Sequence, residues 1–330
     1  MRVQTNLTLF VNFASSTDTM SSDLEPLPPS RYESKEASVI TAVTLLGLSA
    51  VIAVILRFKC RFMVRAKLAI DDWLILAALP IAITEAILVG YSTKGGLGKH
   101  VEVVSAPDLL LGAKLFFTIQ ILWLTASGLV KLSILTFYLR TFGVLSYIRF
   151  SAWFLIVSVT IWLISVVVAH GLECIPVAKI WNEDIPGHCL DTVALFLGGS
   201  IADVVFDFLI LVLPLPALIK LQLPLPKKIS IVGIFVLGGL TCILSLVRFL
   251  GAETAIWDRS DITWISWLPL IWAVAEPCLG TVCACLPILQ PLAQIAKRRI
   301  TKLSGTTPSK VSRPEWKIGQ QDPPTYGEAT

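Results

Sequence analysis

Seven stretches of this chain are each apolar and long enough to cross a bilayer as a helix: residues 38–56, 72–91, 110–139, 150–172, 193–218, 229–250 and 265–289. About twenty residues of helix span the hydrocarbon core. In lipid each backbone polar group must find its partner inside the protein, which leaves helices or closed barrels. The expected fold is therefore all-α, a seven-transmembrane helix bundle. With 55% hydrophobic and 15% charged residues and a mean hydropathy of +0.77, the chain is far more apolar than a soluble domain. The net charge of +4 sits between the runs. No nucleic acid partner is expected, and the lipid bilayer is the first partner.

Short loops rich in Lys and Arg stay in the cytoplasm. Arg57, Lys59, Arg61, Arg65 and Lys67 follow the first run, Arg140 and Arg149 the third, and Lys220, Lys227 and Lys228 the fifth, while Lys297, Arg298, Arg299 and Lys302 follow the last. The alternate loops carry only Lys94, Lys99, Lys179 and Arg259. This asymmetry, fourteen against four, puts the N-terminus outside and the C-terminus in the cytoplasm.

On the outer side, loop 173–192 holds Cys174 and Cys189; Cys60 falls inside and the other four cysteines fall within runs. An oxidising exterior favours a disulfide between the outer two. A metal site using His188 with both thiols is the alternative, and no metal is expected. Cys60 and Cys285 are palmitoylation candidates or plain thiols.

Residues 1–36 are polar and read as a disordered extracellular tail with one glycosylation sequon at Asn6. In 290–303, Leu292, Ala296, Ile300 and Leu303 recur opposite Lys297, Arg298 and Lys302, as in an amphipathic interfacial helix; ordinary positive-inside residues are the alternative. Residues 304–330 read as a disordered cytoplasmic tail ending in Pro323-Pro324-Thr325-Tyr326. Pro-Pro-x-Tyr is a ligand for WW domains, so a WW-domain ubiquitin ligase is an expected partner. Gly95-Gly96-Leu97-Gly98-Lys99-His100 follows no strand and lacks Gly-Lys-Ser or Gly-Lys-Thr, and reads as a flexible extracellular turn rather than a phosphate loop.

The chemistry is carried by charges inside the runs: Glu85, Lys131, Asp203, Asp207, Arg248 and Glu276. Each costs about 2.5–3.5 kcal/mol to insert and needs a partner or a cavity. Asp203 and Asp207, four apart, share one face of the fifth helix. The expected pairings are Lys131 with Asp207, and Arg248 with Glu276 or Asp203. Such a cluster can line a ligand cavity, conduct protons or ions, or fix helix register. Pro80, Pro269 and Pro277 are expected to bend their helices.

Asp71-Asp72-Trp73, Lys131-Leu132-Ser133-Ile134-Leu135 with Tyr138-Leu139-Arg140, Cys174-Ile175-Pro176 with Trp181 and Gly187-His188-Cys189, the run Asp207 to Pro216 continuing through Leu221-Gln222-Leu223-Pro224, and Cys283-Ala284-Cys285-Leu286-Pro287 occur in order over residues 38–296. Together they resemble the fungal rhodopsin-domain family of seven-helix integral membrane proteins. The resemblance implies a layout like that of G-protein-coupled receptors. Some members are proposed receptors with a Cys-rich CFEM domain; others belong to specialised-metabolite clusters, the satratoxin cluster among them. With no Cys before Cys60, this chain is expected to lack the CFEM domain and to be of the cluster-associated type. Retinal is not expected, because its Schiff base needs a Lys in the seventh run and 265–289 has none.

Two functions follow as expectations. One is a receptor-like protein of a plasma or other secretory-pathway membrane, sensing a small molecule and meeting a cytoplasmic signalling partner. The other is an accessory cyclase or transporter of a specialised-metabolite pathway, with Glu276, Asp203 or Glu85 as proton donor. A transporter would more often show an internal repeat, and none is found.

Overall fold

The computed structural model describes residues 29–181, 185–216, 236, 238–251 and 261–303, and for 29–30 and 290–303 the backbone alone. The Asn6 sequon, the Pro-Pro-x-Tyr motif, the tail 304–330, the Pro-rich exit at 224–226 and most of the first half of the 229–250 run lie outside the described residues. The chain divides into two units, Met1–Gln290 and Pro291–Thr330, and the packing and side-chain contacts discussed below lie within the first.

The described fold is all-α apart from one two-stranded pair. Among the described residues, six helices are long and apolar enough to cross a membrane. Five are α1 (Glu36–Met63), α2 (Ile70–Tyr91), α3 (Ala106–Phe142), α4 (Ser146–Gly171) and α5 (Thr192–Val212). A shorter apolar helix, α6, covers Gly238–Gly251. The last span, Ile262–Leu289, joins a helical turn at Ile262–Ile265 to the first part of α7 (Trp267–Leu303).

Local chemistry explains the starts and stops. Asp191 caps α5, its carboxylate accepting from the N–H groups of Val193 and Ala194, and Ser105 caps α3. Helix α5 ends at Val212, just before Pro214, which brings no N–H to continue the ladder; residues 217 and 218 of the expected run lie outside the described residues. Pro269 stands in the first turn of α7, just past the break at Ser266 that separates it from the turn Ile262–Ile265; it has no N–H to bond the Ile265 carbonyl.

Both faces of the helices are apolar. On α4, Ala152, Leu155, Val159 and Val166 are buried, while Phe150, Trp153, Phe154, Ile161 and Ile164 point outward and are exposed. A soluble helix would make that second face polar. The charged residues are inside instead: Arg57, Asp71, Asp72, Lys131, Asp203, Arg248 and Glu276 are all buried.

Residues 29–36 correct the reading of a disordered tail through residue 36. Pro29–Tyr32 forms a 3-10 turn, and Arg31 pairs with Asp261 at 3.5 Å and Glu102 at 3.6 Å. The turn at 95–100 is likewise fastened rather than loose. Gly98 O accepts from Lys35 N, Gly98 N donates to Thr263 O, and Asp261 bonds both His100 and the Val101 N–H.

Candidate functional site

One face of α3 presents Trp123, Ser127 and Lys131 at four-residue spacing, a stripe that points into the bundle. Lys131 Nζ reaches three carboxylates: Asp207 Oδ1 at 2.8 Å, Asp203 Oδ1 at 3.0 Å and Glu276 Oε1 at 3.4 Å. Ser127 accepts from Lys131 at 2.8 Å and donates to Glu276 at 2.6 Å. From α6, Arg248 comes within 3.3 Å of Glu276 and 3.8 Å of Asp203, and its guanidinium lies 3.6 Å over the Trp123 ring. Trp123 Nε1 donates to Glu276 at 3.1 Å, and Ser245 donates to Asp207 at 2.6 Å. Four helices, α3, α5, α6 and α7, thus meet in one buried ionic network.

The structure places Lys131 with Asp207, and Arg248 with both Glu276 and Asp203. Glu85 does not join them. It is fully buried on α2, and neither of its oxygens has a hydrogen-bond partner among the described residues. Asp203, Asp207 and Glu276 have oxygens within 4.8 Å of one another, a spacing that could hold a metal ion. Lys131 already puts its ammonium within 3.4 Å of all three, where such an ion would sit.

A cavity of about 50 Å³ opens beside Lys131 and Asp207, between α3, α5, α6 and α7. That is room for several atoms. Its walls are mostly apolar, with Ile134, Phe137, Ile210 and Leu211 among them, and Tyr138 and Thr241 add hydroxyls.

A second network was not foreseen from sequence. Arg57 and Arg61, read as loop residues beyond a run ending at Leu56, lie on α1 and are buried. Arg57 forks onto Asp71 at 2.6 Å and Asp72 at 2.9 Å, and its third nitrogen donates to Ala284 O at 2.8 Å. Arg61 repeats the fork at 3.0 and 3.1 Å, and half-exposed Arg140 reaches Asp71 at 3.3 Å. The signal available was Arg57 and Arg61 one turn apart, facing an adjacent Asp pair.

Of the two readings of Cys60 and Cys285, the structure agrees with plain thiols. Cys60 is buried with its thiol 2.9 Å from Ile288 O, and Cys285 is fully buried, so neither offers a surface sulfur.

In the loop 173–192, Cys174 and Cys189 form a disulfide and pair across β1 (Cys174–Ile175) and β2 (His188–Cys189). Both sulfurs are thereby consumed, and the metal alternative with His188 falls away. Trp181 packs on Phe117 of α3 with Lys114 Nζ 5.6 Å from its ring, which fastens this loop to the bundle.

Residues 56–295 match the family described as Fungal rhodopsin domain. The chain is 31% identical over 266 residues to the polyenoic acids biosynthesis gene cluster protein Ba17b of Metarhizium anisopliae, covering 74% of this chain and 70% of that one. It is 26% identical to the wortmanamides biosynthesis cluster protein C of Talaromyces wortmannii, over 85% of this chain and 77% of the relative. It is also 26% identical to the receptor GIN3 of Arthrobotrys oligospora, over 73% of this chain and 59% of that protein.

Proposed function

The chain belongs to the fungal rhodopsin domain family of membrane proteins, and from that premise we propose that it is a receptor-like protein that senses a small molecule. In this reading seven helices cross the membrane, the N-terminus is outside, and a cytoplasmic signalling partner meets the inner ends. The observation that carries it is the network around Lys131. One buried cation ties α3 to α5 and α7 beside a cavity, so a ligand entering there competes for contacts that hold three helices together. The relative named as a receptor is consistent with this reading.

Retinal has no part in it. A Schiff base needs a free amine, and α7 offers no Lys before Lys297.

The second reading is an accessory membrane protein of a specialised-metabolite pathway, favoured by two relatives named for biosynthetic clusters. Gene deletion with metabolite profiling and complementation separates the two. Loss of a growth or developmental response with an unchanged profile supports the receptor. An accumulated biosynthetic intermediate, cleared by the wild-type gene, sinks it in favour of the accessory role.

A further inference from the structure

The geometry points to a specific ligand chemistry for the cavity beside Asp207: an elongated apolar molecule carrying a single protonated amine at its buried end. The inference rests on the reading of this site as ligand-responsive and names the class of ligand.

Two cations, Lys131 and Arg248, face three carboxylates, Asp203, Asp207 and Glu276, so the network is one positive charge short when all are ionised. Asp203 Oδ2, fully buried, accepts no hydrogen bond among the described residues, and Arg248 Nη2 stands 3.8 Å from it, beyond hydrogen-bond reach. A charge deficit is costly in a low-dielectric interior and attracts a compensating cation. The deficit is offered to the cavity by one residue. Asp207 keeps 11% of its side chain exposed, against 0% for Asp203 and 3% for Glu276, and of the three only Asp207 lines the cavity.

The walls set the rest of the molecule. From Lys131 to Tyr138 is two turns of α3, about 10 Å, and between them the lining is Ile134 and Phe137 facing Ile210 and Leu211. A slender alkyl body fits that slot. A carboxylate head would meet the surplus negative charge, and a hydrated inorganic cation would find apolar walls around it.

The test measures saturable binding of n-octylamine, n-octanol and octanoate to the purified full chain in phosphatidylcholine nanodiscs. The amine is expected to bind about tenfold tighter than the alcohol, and octanoate the weakest. Asp207→Asn should bring the amine down to the level of the alcohol, and Thr241→Phe, which fills the slot, should remove saturable binding of all three. Octanoate binding as tightly as the amine overturns the charge argument on the wild-type protein alone, whatever the variants do. Amine binding that survives Thr241→Phe overturns the location. Binding without a cellular response to amines leaves this inference standing and counts against the receptor reading. A cellular response with no amine binding does the reverse.

Discussion

Lys131 Nζ lies 2.8 Å from Asp207 Oδ1 and 3.0 Å from Asp203 Oδ1, so one ammonium spans two carboxylates a turn apart on α5. Removing it leaves three buried acids facing each other, whereas removing Asp207 leaves Lys131 with two partners. Breaking a buried pair on one side typically costs about 3–5 kcal/mol. Lys131→Met should fall at the top of that range and Asp207→Asn clearly below it, read as thermal stability of the detergent-purified protein. Equal losses would mean that the network is not centred on the lysine. A charge swap of Lys131→Asp with Asp207→Lys should not restore stability, since the new acid would face Asp203 and Glu276.

Arg57 poses a question of shape as well as charge. Its guanidinium serves Asp71, Asp72 and the Ala284 carbonyl from three different nitrogens. A lysine keeps the charge but has one nitrogen, and cannot reproduce that planar fork. Arg57→Lys should therefore lose nearly as much stability as Arg57→Gln, about 3 kcal/mol or more. Arg140→Lys, at a half-exposed site with one contact at 3.3 Å, should lose less than about 1 kcal/mol. The comparison is made on melting temperatures of the three variants, and full rescue by Arg57→Lys would refute the fork.

These two networks mark where the sequence was legible and where it stopped. The helices themselves could be read because hydrocarbon thickness sets a length that an apolar run must meet. The inward charges at Lys131, Asp203, Asp207, Arg248 and Glu276 could be picked out because lipid tolerates so few. Their sharing could not: Lys131 and Glu276 are 145 residues apart, and nothing local says that three acids meet on one lysine. Counting apolar residues ended the first helix at Leu56, but the backbone continues to Met63 because Asp71 and Asp72 neutralise its arginines. Glycine content made 95–100 look loose, whereas partners at Lys35, Asp261 and Thr263 hold it in place. Tertiary contacts decided each of these.

The Cys174–Cys189 bridge closes a loop of sequence separation 15, for which the chain-entropy view gives about 3 kcal/mol. Trp181, Ile180 and Cys174 also pack with Ala113 and Phe117 of α3, so the loop has packing of its own. The double substitution Cys174→Ser with Cys189→Ser should lower the melting temperature and raise proteolysis within 173–191, while fragments from the bundle stay unchanged. Global proteolysis would show that the loop is needed for the whole fold. An unchanged digest would show that the bridge constrains nothing.

Gly95 and Gly112 bring the turn after α2 against the first turns of α3, and a Cβ on Gly112 would stand 2.6 Å from the Gly95 carbonyl oxygen. That neighbour is backbone, with no side-chain torsion to rotate away. Gly198, in α5, has nothing within 4 Å of the same position. A glycine-to-alanine change inside a helix is ordinarily favourable by up to about 1 kcal/mol, so Gly198→Ala should be neutral or mildly stabilising. At Gly112 the methyl must push two backbone segments apart, an overpacking cost of about 1–3 kcal/mol. The steric term exceeds the propensity gain, and Gly112→Ala should be destabilised. Melting curves of the two alanine variants, chemically the same change, isolate the contact. If Gly112→Ala is as stable as Gly198→Ala, the turn and the helix do not touch as described.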